Sequence, residues 1–200
     1  GDANLLPERG YQTDLNVVYQ NKKLMVSVSP FFGYFHRYIY LNPSFEYSQL
    51  PGGGQIYQYS QTNALHWGAE LTAEYHVLKQ LHLAFLGEYV GLYNIAEGLS
   101  MPFTPPASGI LEAEYVFEKI GKGFGNLFLK IEGQYYAPQN AVARNENDTP
   151  GALLAHASAG IEFKAKKQRI RLVLQAQNLL NTPYLRHLSR YRLLNLPEAG

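Results

Sequence analysis

The sequence predicts an all-β chain, an antiparallel transmembrane β-barrel segment of about eight strands. Three observations lead there. Apolar and polar residues alternate with a period of two along most of the chain, as in Leu111-Glu112-Ala113-Glu114-Tyr115 and Leu129-Lys130-Ile131-Glu132. The links between these segments alternate between tight turns and long irregular loops. Finally, 16 Tyr, 10 Phe and one Trp stand in a chain with only 16% charged residues, the kind of aromatic excess that girdles the rims of membrane barrels.

Strands are expected near 9–20, 23–40, 55–77, 80–95, 108–119, 126–138, 153–166 and 168–178. Asn21-Lys22-Lys23, Leu78-Lys79-Gln80 and Lys166-Lys167-Gln168 read as tight turns, and 120–125 as a slightly longer one. Loops 41–54, 96–107 and 139–152 carry Pro51-Gly52-Gly53-Gly54, Pro102 with Pro105-Pro106, and Asn145-Glu146-Asn147-Asp148-Thr149-Pro150-Gly151. Such residues set turns rather than ladders. An up-and-down meander puts all short turns at one end and all long loops at the other, as outer-membrane barrels do. Alternation alone is shared with a soluble lipocalin-like barrel, whose apolar face points inward. The lengths of 23–40 and 55–77 exceed the five or six residues usual in soluble sheets and favour tilted membrane spans. On that reading Leu83, Phe85, Leu111, Ala113, Leu129, Ile161 and Leu172 face lipid, while Glu112, Glu114, Lys130, Glu132, Glu162 and Arg171 face inward.

Composition excludes several classes. The formal net charge of +1 gives no nucleic-acid footprint. There is no cysteine, hence no disulfide framework and no thiolate metal site. No stretch reaches about 18 consecutive apolar residues, so no transmembrane helix is expected. The sequence opens without a basic, apolar leader. Nucleophile elbows, phosphate loops and His-Glu-x-x-His motifs are all missing, and the reading is not an enzyme.

The last stretch is the most specific. Gln175-Ala176-Gln177-Asn178-Leu179-Leu180-Asn181-Thr182-Pro183-Tyr184 runs into His187-Leu188-Ser189-Arg190-Tyr191-Arg192 and then Leu196-Pro197-Glu198-Ala199-Gly200. This resembles the C-terminal signature of TonB-dependent outer-membrane receptors, in which a penultimate strand ends in Asn-Leu-Phe-Asn-x-x-Tyr and a Pro-Gly-Arg turn leads into the final strand. Leu180 stands where Phe is commoner, and Glu198-Ala199 separate Pro197 from Gly200. Asn4-Leu5-Leu6-Pro7-Glu8-Arg9 resembles the family's Asn-Leu-x-Pro-Glu segment, and Trp67-Gly68-Ala69-Glu70-Leu71 its Gly-x-Glu strand. The resemblance implies the C-terminal portion, residues 1–200, of a barrel of about 22 strands, without the plug domain and the last strand. Both sheet edges are then expected to lie open. It also implies an outer-membrane transporter of a Gram-negative bacterium for a scarce nutrient, such as a ferric siderophore, haem or another large ligand. Its partners would be outer-membrane lipid, lipopolysaccharide, and TonB through the plug; no cofactor is implied. The alternative is a self-contained small outer-membrane barrel: an adhesin, a structural protein or a lipase-like enzyme.

The candidate ligand-binding residues are Arg186, His187, Arg190, Tyr191 and Arg192 in the last loop. Arginine pairs bidentately with carboxylates and phosphates, and tyrosine adds stacking. The competing reading is a structural loop end that binds nothing. His36 and His187 lie in outer segments where an imidazole could ligate haem iron, although a loop histidine is more often polar surface. His66, His76 and His82 are expected along the lumen. Glu112 and Glu114 read as lumen wall rather than as an acid–base pair. Tyr135-Tyr136-Ala137-Pro138 resembles an aromatic-x-Ala-Pro box of haem receptors, but follows the Asn-Leu-x-Pro-Glu segment instead of preceding it, so it reads as a strand end with interfacial tyrosines.

Overall fold

The computed structural model describes residues 4–50, 54–118, 120–121, 124–165, 168–189, 192 and 194–198. Among them the strands are β1 (Arg9–Asp14), β2 (Val17–Gln20), β3 (Leu24–Tyr47), β4 (Gln55–His76), β5 (Leu81–Asn94), β6 (Leu99–Ser100), β7 (Ser108–Phe117), β8 (Phe124–Tyr136), β9 (Ala152–Ala165) and β10 (Gln168–Ala176). All pairings are antiparallel and form one sheet in the order β1-β3-β4-β5-β7-β8-β9-β10, with β2 also on β3 and β6 on β5. β1 and β10 occupy opposite edges and do not pair with each other.

Register turns the period-two pattern into two chemically distinct faces, because residues directly opposite in a ladder share a face. One face carries Leu83 opposite Ala113, Phe85 opposite Leu111, Ala113 opposite Ile131, Tyr115 opposite Leu129, and Ile161 opposite both Leu127 and Leu172. The other carries Glu114 opposite Lys130, Glu112 opposite Glu132, Glu132 opposite His156, and Glu162 opposite Arg171. The expected division of side chains between two faces is therefore present. The apolar face has no protein cover: Leu111 is 60%, Ile131 65% and Leu174 77% exposed. Buried apolar side chains among the described residues are Ala64, Met101, Ala143, Ala152 and Leu154, all toward the long-loop end. Burying each Leu or Phe side chain is worth about 1.5–3 kcal/mol, and that stabilisation is available to this face only from an apolar surrounding.

Close cross-strand approach depends on small residues at a few points. A Cβ on Gly160 would overlap the ring of Phe128, the directly opposite residue on β8. The Arg171 guanidinium lies 4.6 Å from the centroid of that same ring, so glycine lets an aromatic lie flat on the sheet beneath a cation.

Two elements differ from the sequence reading. The expected strand 9–20 is split: β1 ends and β2 begins around Leu15-Asn16, at the level of Pro30 on β3, whose missing N–H interrupts the ladder. Leu15 still donates its amide to the Pro30 carbonyl at 3.0 Å. More substantially, 41–47 of the expected loop 41–54 is strand, because β3 runs on to Tyr47, while Pro51, Gly52 and Gly53 lie outside the described residues. Tyr38 to Pro43 pair with Thr62 to Tyr57 after a bulge between Phe35 and Tyr38. Arg37, in that bulge, has φ 60, a conformation non-glycine residues rarely adopt. Its amide donates to Asn63 Oδ1 at 3.2 Å, and its carbonyl accepts from Gln61 Nε2 at 3.0 Å. Since β1 leaves β3 at His36 and β5 leaves β4 at Ala64, the hairpin beyond is a two-stranded ribbon. Of the expected tight turns, Lys166 and Lys167 lie outside the described residues, as do Lys122 and Gly123 of 120–125.

Candidate functional site

Three links meet at the long-loop end: 95–107, 137–151 and the segment from Gln177 onward. The third is set by asparagine. Asn178 and Asn181 have φ 47 and 49, left-handed values that asparagine tolerates. The Asn178 side chain closes the turn twice, accepting from the Thr182 amide at 3.0 Å and donating to the Thr182 carbonyl at 3.0 Å. The turn is tied to β9 by the Leu179 amide on the Ala155 carbonyl (2.8 Å) and the Asn178 amide on His156 Nδ1 (3.2 Å). From there the chain crosses the polar face, with the Tyr184 ring stacked on Tyr136 at 6.2 Å and 7°.

At the centre of the three links is Glu146. Its Oε1 lies 3.0 Å from Arg192 Nη2 and 3.2 Å from His187 Nε2, and also accepts from the Phe103 amide at 3.2 Å. Its Oε2 accepts from the Ala143 amide at 3.1 Å. The side chains of Glu146, His187 and Arg192 are 7%, 1% and 6% exposed. Burial alone would raise the Glu146 pKa, but hydrogen bonds from His187, the Ala143 amide, Arg192 and the Phe103 amide outweigh it and hold the group at about 2. A carboxylate accepts only and a guanidinium donates only. His187 Nε2 therefore donates to Glu146, leaving Nδ1 to accept from Thr149 Oγ1 and Arg192 Nη1, each at 2.8 Å. Arg192 also donates to the Asn147 carbonyl at 3.1 Å. Nearby, Gln139 Nε2 donates to the carbonyls of Thr104 and Pro105 at 2.8 and 3.1 Å, joining the first two links.

Arg186 is placed differently. It is exposed, 5.9 Å from the Tyr184 ring centroid, at the divide between two open hollows. One, about 250 Å³, is polar and lined by Lys130, Glu132, Gln134, His156, Tyr184 and Arg186 among others. The other, about 280 Å³, is more apolar and includes Pro105, Pro106, Tyr136, Leu185 and Arg186. On the floor of the first, Lys130 Nζ bridges Glu112 and Glu132 at 3.2 and 3.1 Å.

The loop cluster thus divides. His187 and Arg192 are engaged with Glu146, Arg186 borders both hollows and hydrogen-bonds Tyr184 and Tyr136, and Arg190 and Tyr191 lie outside the described residues. His36 Nδ1 is 2.9 Å from Asn63 Oδ1. His66 sits on the polar face against Phe31 and Phe35, at 4.7 and 6.2 Å between ring centroids, and His76 and His82 share that face. Glu146, Thr149 and Gln139 were not singled out by sequence. The only signal was their place in polar loop 139–152, which gives no hint of a partner.

No curated protein sequence matches the chain. Many solved structures share its fold, three of which are described. The copper transporter OprC superposes with a TM-score of 0.81 at 20% identity, covering 98% of this chain and 30% of its own. The FrpB iron transporter from Neisseria meningitidis (F3-3 variant) gives 0.65 at 17%, covering 98% and 30%. The ferric yersiniabactin uptake receptor FyuA from Yersinia pestis gives 0.61 at 14%, covering 88% and 26%. The chain spans less than a third of the length of each of these chains, and at such identities the likeness establishes the fold, an antiparallel transmembrane β-barrel wall. The family described as TonB dependent receptor-like, beta-barrel matches residues 1–179. With nearly all of the described sheet inside that match, the chain belongs to the TonB-dependent receptor family, as part of its β-barrel.

Proposed function

We propose that this chain forms the C-terminal wall and outer loops of a TonB-dependent outer-membrane transporter of a Gram-negative bacterium. Its cargo is a scarce nutrient taken up as a large ligand, such as a ferric siderophore or haem. One observation carries the reading: a single sheet with a bare apolar face and a continuous polar face. Lipid can cover the first, while water and cargo occupy the second. Copper, iron and ferric yersiniabactin appear in the names of the three structural neighbours, which supports uptake as the class. Residues 1–200 are then one portion of a larger barrel whose plug and final strand lie elsewhere in the protein, and TonB acts through that plug. The carrier performs no bond chemistry.

Short turns face the periplasm and long loops the exterior, where lipopolysaccharide surrounds them. Of the basic-aromatic cluster, Arg186 is the member positioned to meet an anionic ligand, because its guanidinium opens onto both hollows. His187 and Arg192 act by holding the loop that presents it, and Arg190 and Tyr191 belong to the same loop. Two measurements test this. Cysteine at the exposed Asn147 reacts with an impermeant reagent on intact cells, and cysteine at Lys79 does not; the reverse result overturns the orientation. Disruption of the gene abolishes TonB-dependent uptake of one member of a panel of ferric siderophores, haem and metal chelates. Uptake of every panel member at wild-type rates overturns the transport assignment.

A further inference from the structure

At the short-turn end of the polar face, β4 and β5 bracket residues 77–80, and His76 stands directly opposite His82. Their ring centroids are 4.7 Å apart and the planes tilted by 34°. Glu74, two positions earlier on the same face, brings Oε2 to 3.9 Å from His82 Nε2. That gap exceeds a hydrogen bond. The His82 side chain is 32% exposed, but its Nε2 atom has no solvent contact and no hydrogen-bond partner among the described residues. Buried polar atoms are rarely left so, and an orphan of this kind asks for a water or an ion. Register adds Met25 opposite Glu74 on β3 and Glu114 opposite His82 on β7.

We propose that Glu74, His76 and His82 bind one divalent transition ion of the zinc or copper class. Imidazole nitrogen lies about 2.0–2.1 Å from zinc and carboxylate oxygen about 2.0–2.2 Å. Two such ligands in a tetrahedral shell stand about 3.3 Å apart, so the 3.9 Å between His82 and Glu74 must close by roughly half an ångström when the ion binds. As the side chains stand, no three His, Asp or Glu among the described residues are placed to hold a metal ion, so the site forms only by side-chain rearrangement. The ion joins His82 to Glu74, and His76, which is exposed, turns to supply the third ligand. Two imidazoles and one carboxylate suit zinc, copper or nickel and are poor for magnesium or calcium, which prefer oxygen shells. His66 takes no part, because its ring is packed on Phe31. The site stands on its own geometry and does not depend on what the transporter carries.

The test titrates Zn²⁺ alone into the purified full-length protein in detergent by calorimetry. A parallel sample carries Cu²⁺ for electron paramagnetic resonance. Wild type shows saturable Zn²⁺ binding, and Cu²⁺ shows nitrogen superhyperfine splitting. His82→Gln and His76→Gln each weaken Zn²⁺ binding by at least about tenfold, the low end of what losing even an outer-sphere partner costs; Glu74→Gln weakens it less, and His66→Gln leaves it unchanged. His76 is exposed, so a folding defect cannot account for loss in that variant. Binding of equal affinity in wild type, His76→Gln and His82→Gln overturns the site, as does wild type that binds no Zn²⁺. In either case a water on His82 Nε2 is the answer.

Discussion

Two structures rise from the same end of this sheet and are held in opposite ways. The β3–β4 ribbon continues the backbone ladder past both neighbouring strands, pairing out to Tyr47 and Gln55. Its side chains remain largely bare, with Tyr47 68% and Tyr59 54% exposed. The three links around Glu146 have few ladder bonds, with isolated bridges such as Gln139 to Thr149. They are held by buried side chains acting on backbone groups. The ribbon therefore gains order from bonds each residue makes alike, and can fray pair by pair from its tip. The links depend on a few charge-assisted contacts whose loss is felt throughout the cluster. They touch at Arg144, whose Nη2 lies 3.2 Å from both Asn42 Oδ1 on the ribbon and Glu97 Oε1 on the first link, at the Tyr40 hydroxyl on Glu97 Oε1 (3.5 Å), and at the rings of Tyr57 and Phe103, 6.1 Å apart.

The largest expected effect strikes only the side-chain-held region. Glu146→Ala leaves Arg192 without its carboxylate partner, and breaking a buried pair costs about 3–5 kcal/mol. Hydrogen exchange should show the Phe103 and Ala143 amides losing protection while the Gln58 and Ser60 amides, which face β3 in the ribbon, keep theirs. Simultaneous loss in both regions would mean that ribbon and links form one unit.

A second effect, about 2–4 kcal/mol, tests the ladder-held strands by face. Leu129→Arg puts a cation on the bare apolar face and should impair assembly, read as loss of heat-modifiable mobility in gels. Glu132→Arg, on the polar face, should assemble. Equal damage from both would remove the distinction between lipid and lumen faces.

The smallest effect is a pH dependence confined to the links. Glu146 has its folded value lowered from 4.5 to about 2, so its stabilisation is fully present above about 4.5 and is lost as pH falls through 2. Amide exchange corrected for intrinsic rates should stay slow at Phe103 at pH 5 and quicken toward pH 2. Protection at Phe103 that is already lost at pH 5 would mean that the carboxylate is not held as described.

What the sequence made legible follows the same divide. β5, β7, β8, β9 and β10 fall within a few residues of expectation because period-two alternation is a local signal. The ribbon was read as loop 41–54 on Pro51-Gly52-Gly53-Gly54, a boundary that drew Asn42 and Pro43 into the loop with it. Only pairing with 55–60 on β4 makes them strand, and a partner strand overrides single-residue preference. The Glu146 network was invisible for another reason. Arg192 and Glu146 are 46 positions apart, and Thr149 and His187 are 38 apart, so nothing local signals the contact. His187 and Arg192 were picked out for their chemistry, yet their polar atoms face Glu146, while Arg186 meets Tyr184 and Tyr136 at the rim of the two hollows.

The meander has a consequence for how the wall is built. Apart from the two short strands β2 and β6, every strand pairs with its predecessor and its successor on the path, so each can be laid down against the one before it. What must be correct at each addition is the offset. A slip of one residue would carry Glu112 and Glu132 to the apolar side and Leu111 and Ile131 to the polar side, since alternate residues point to opposite faces. The tight turns set that offset, and the 77–80 turn, which fixes His76 opposite His82, does so for β4 and β5. A one-residue insertion there would be more than a longer loop: it would ask the growing sheet to choose between an unpaired turn and an inverted strand.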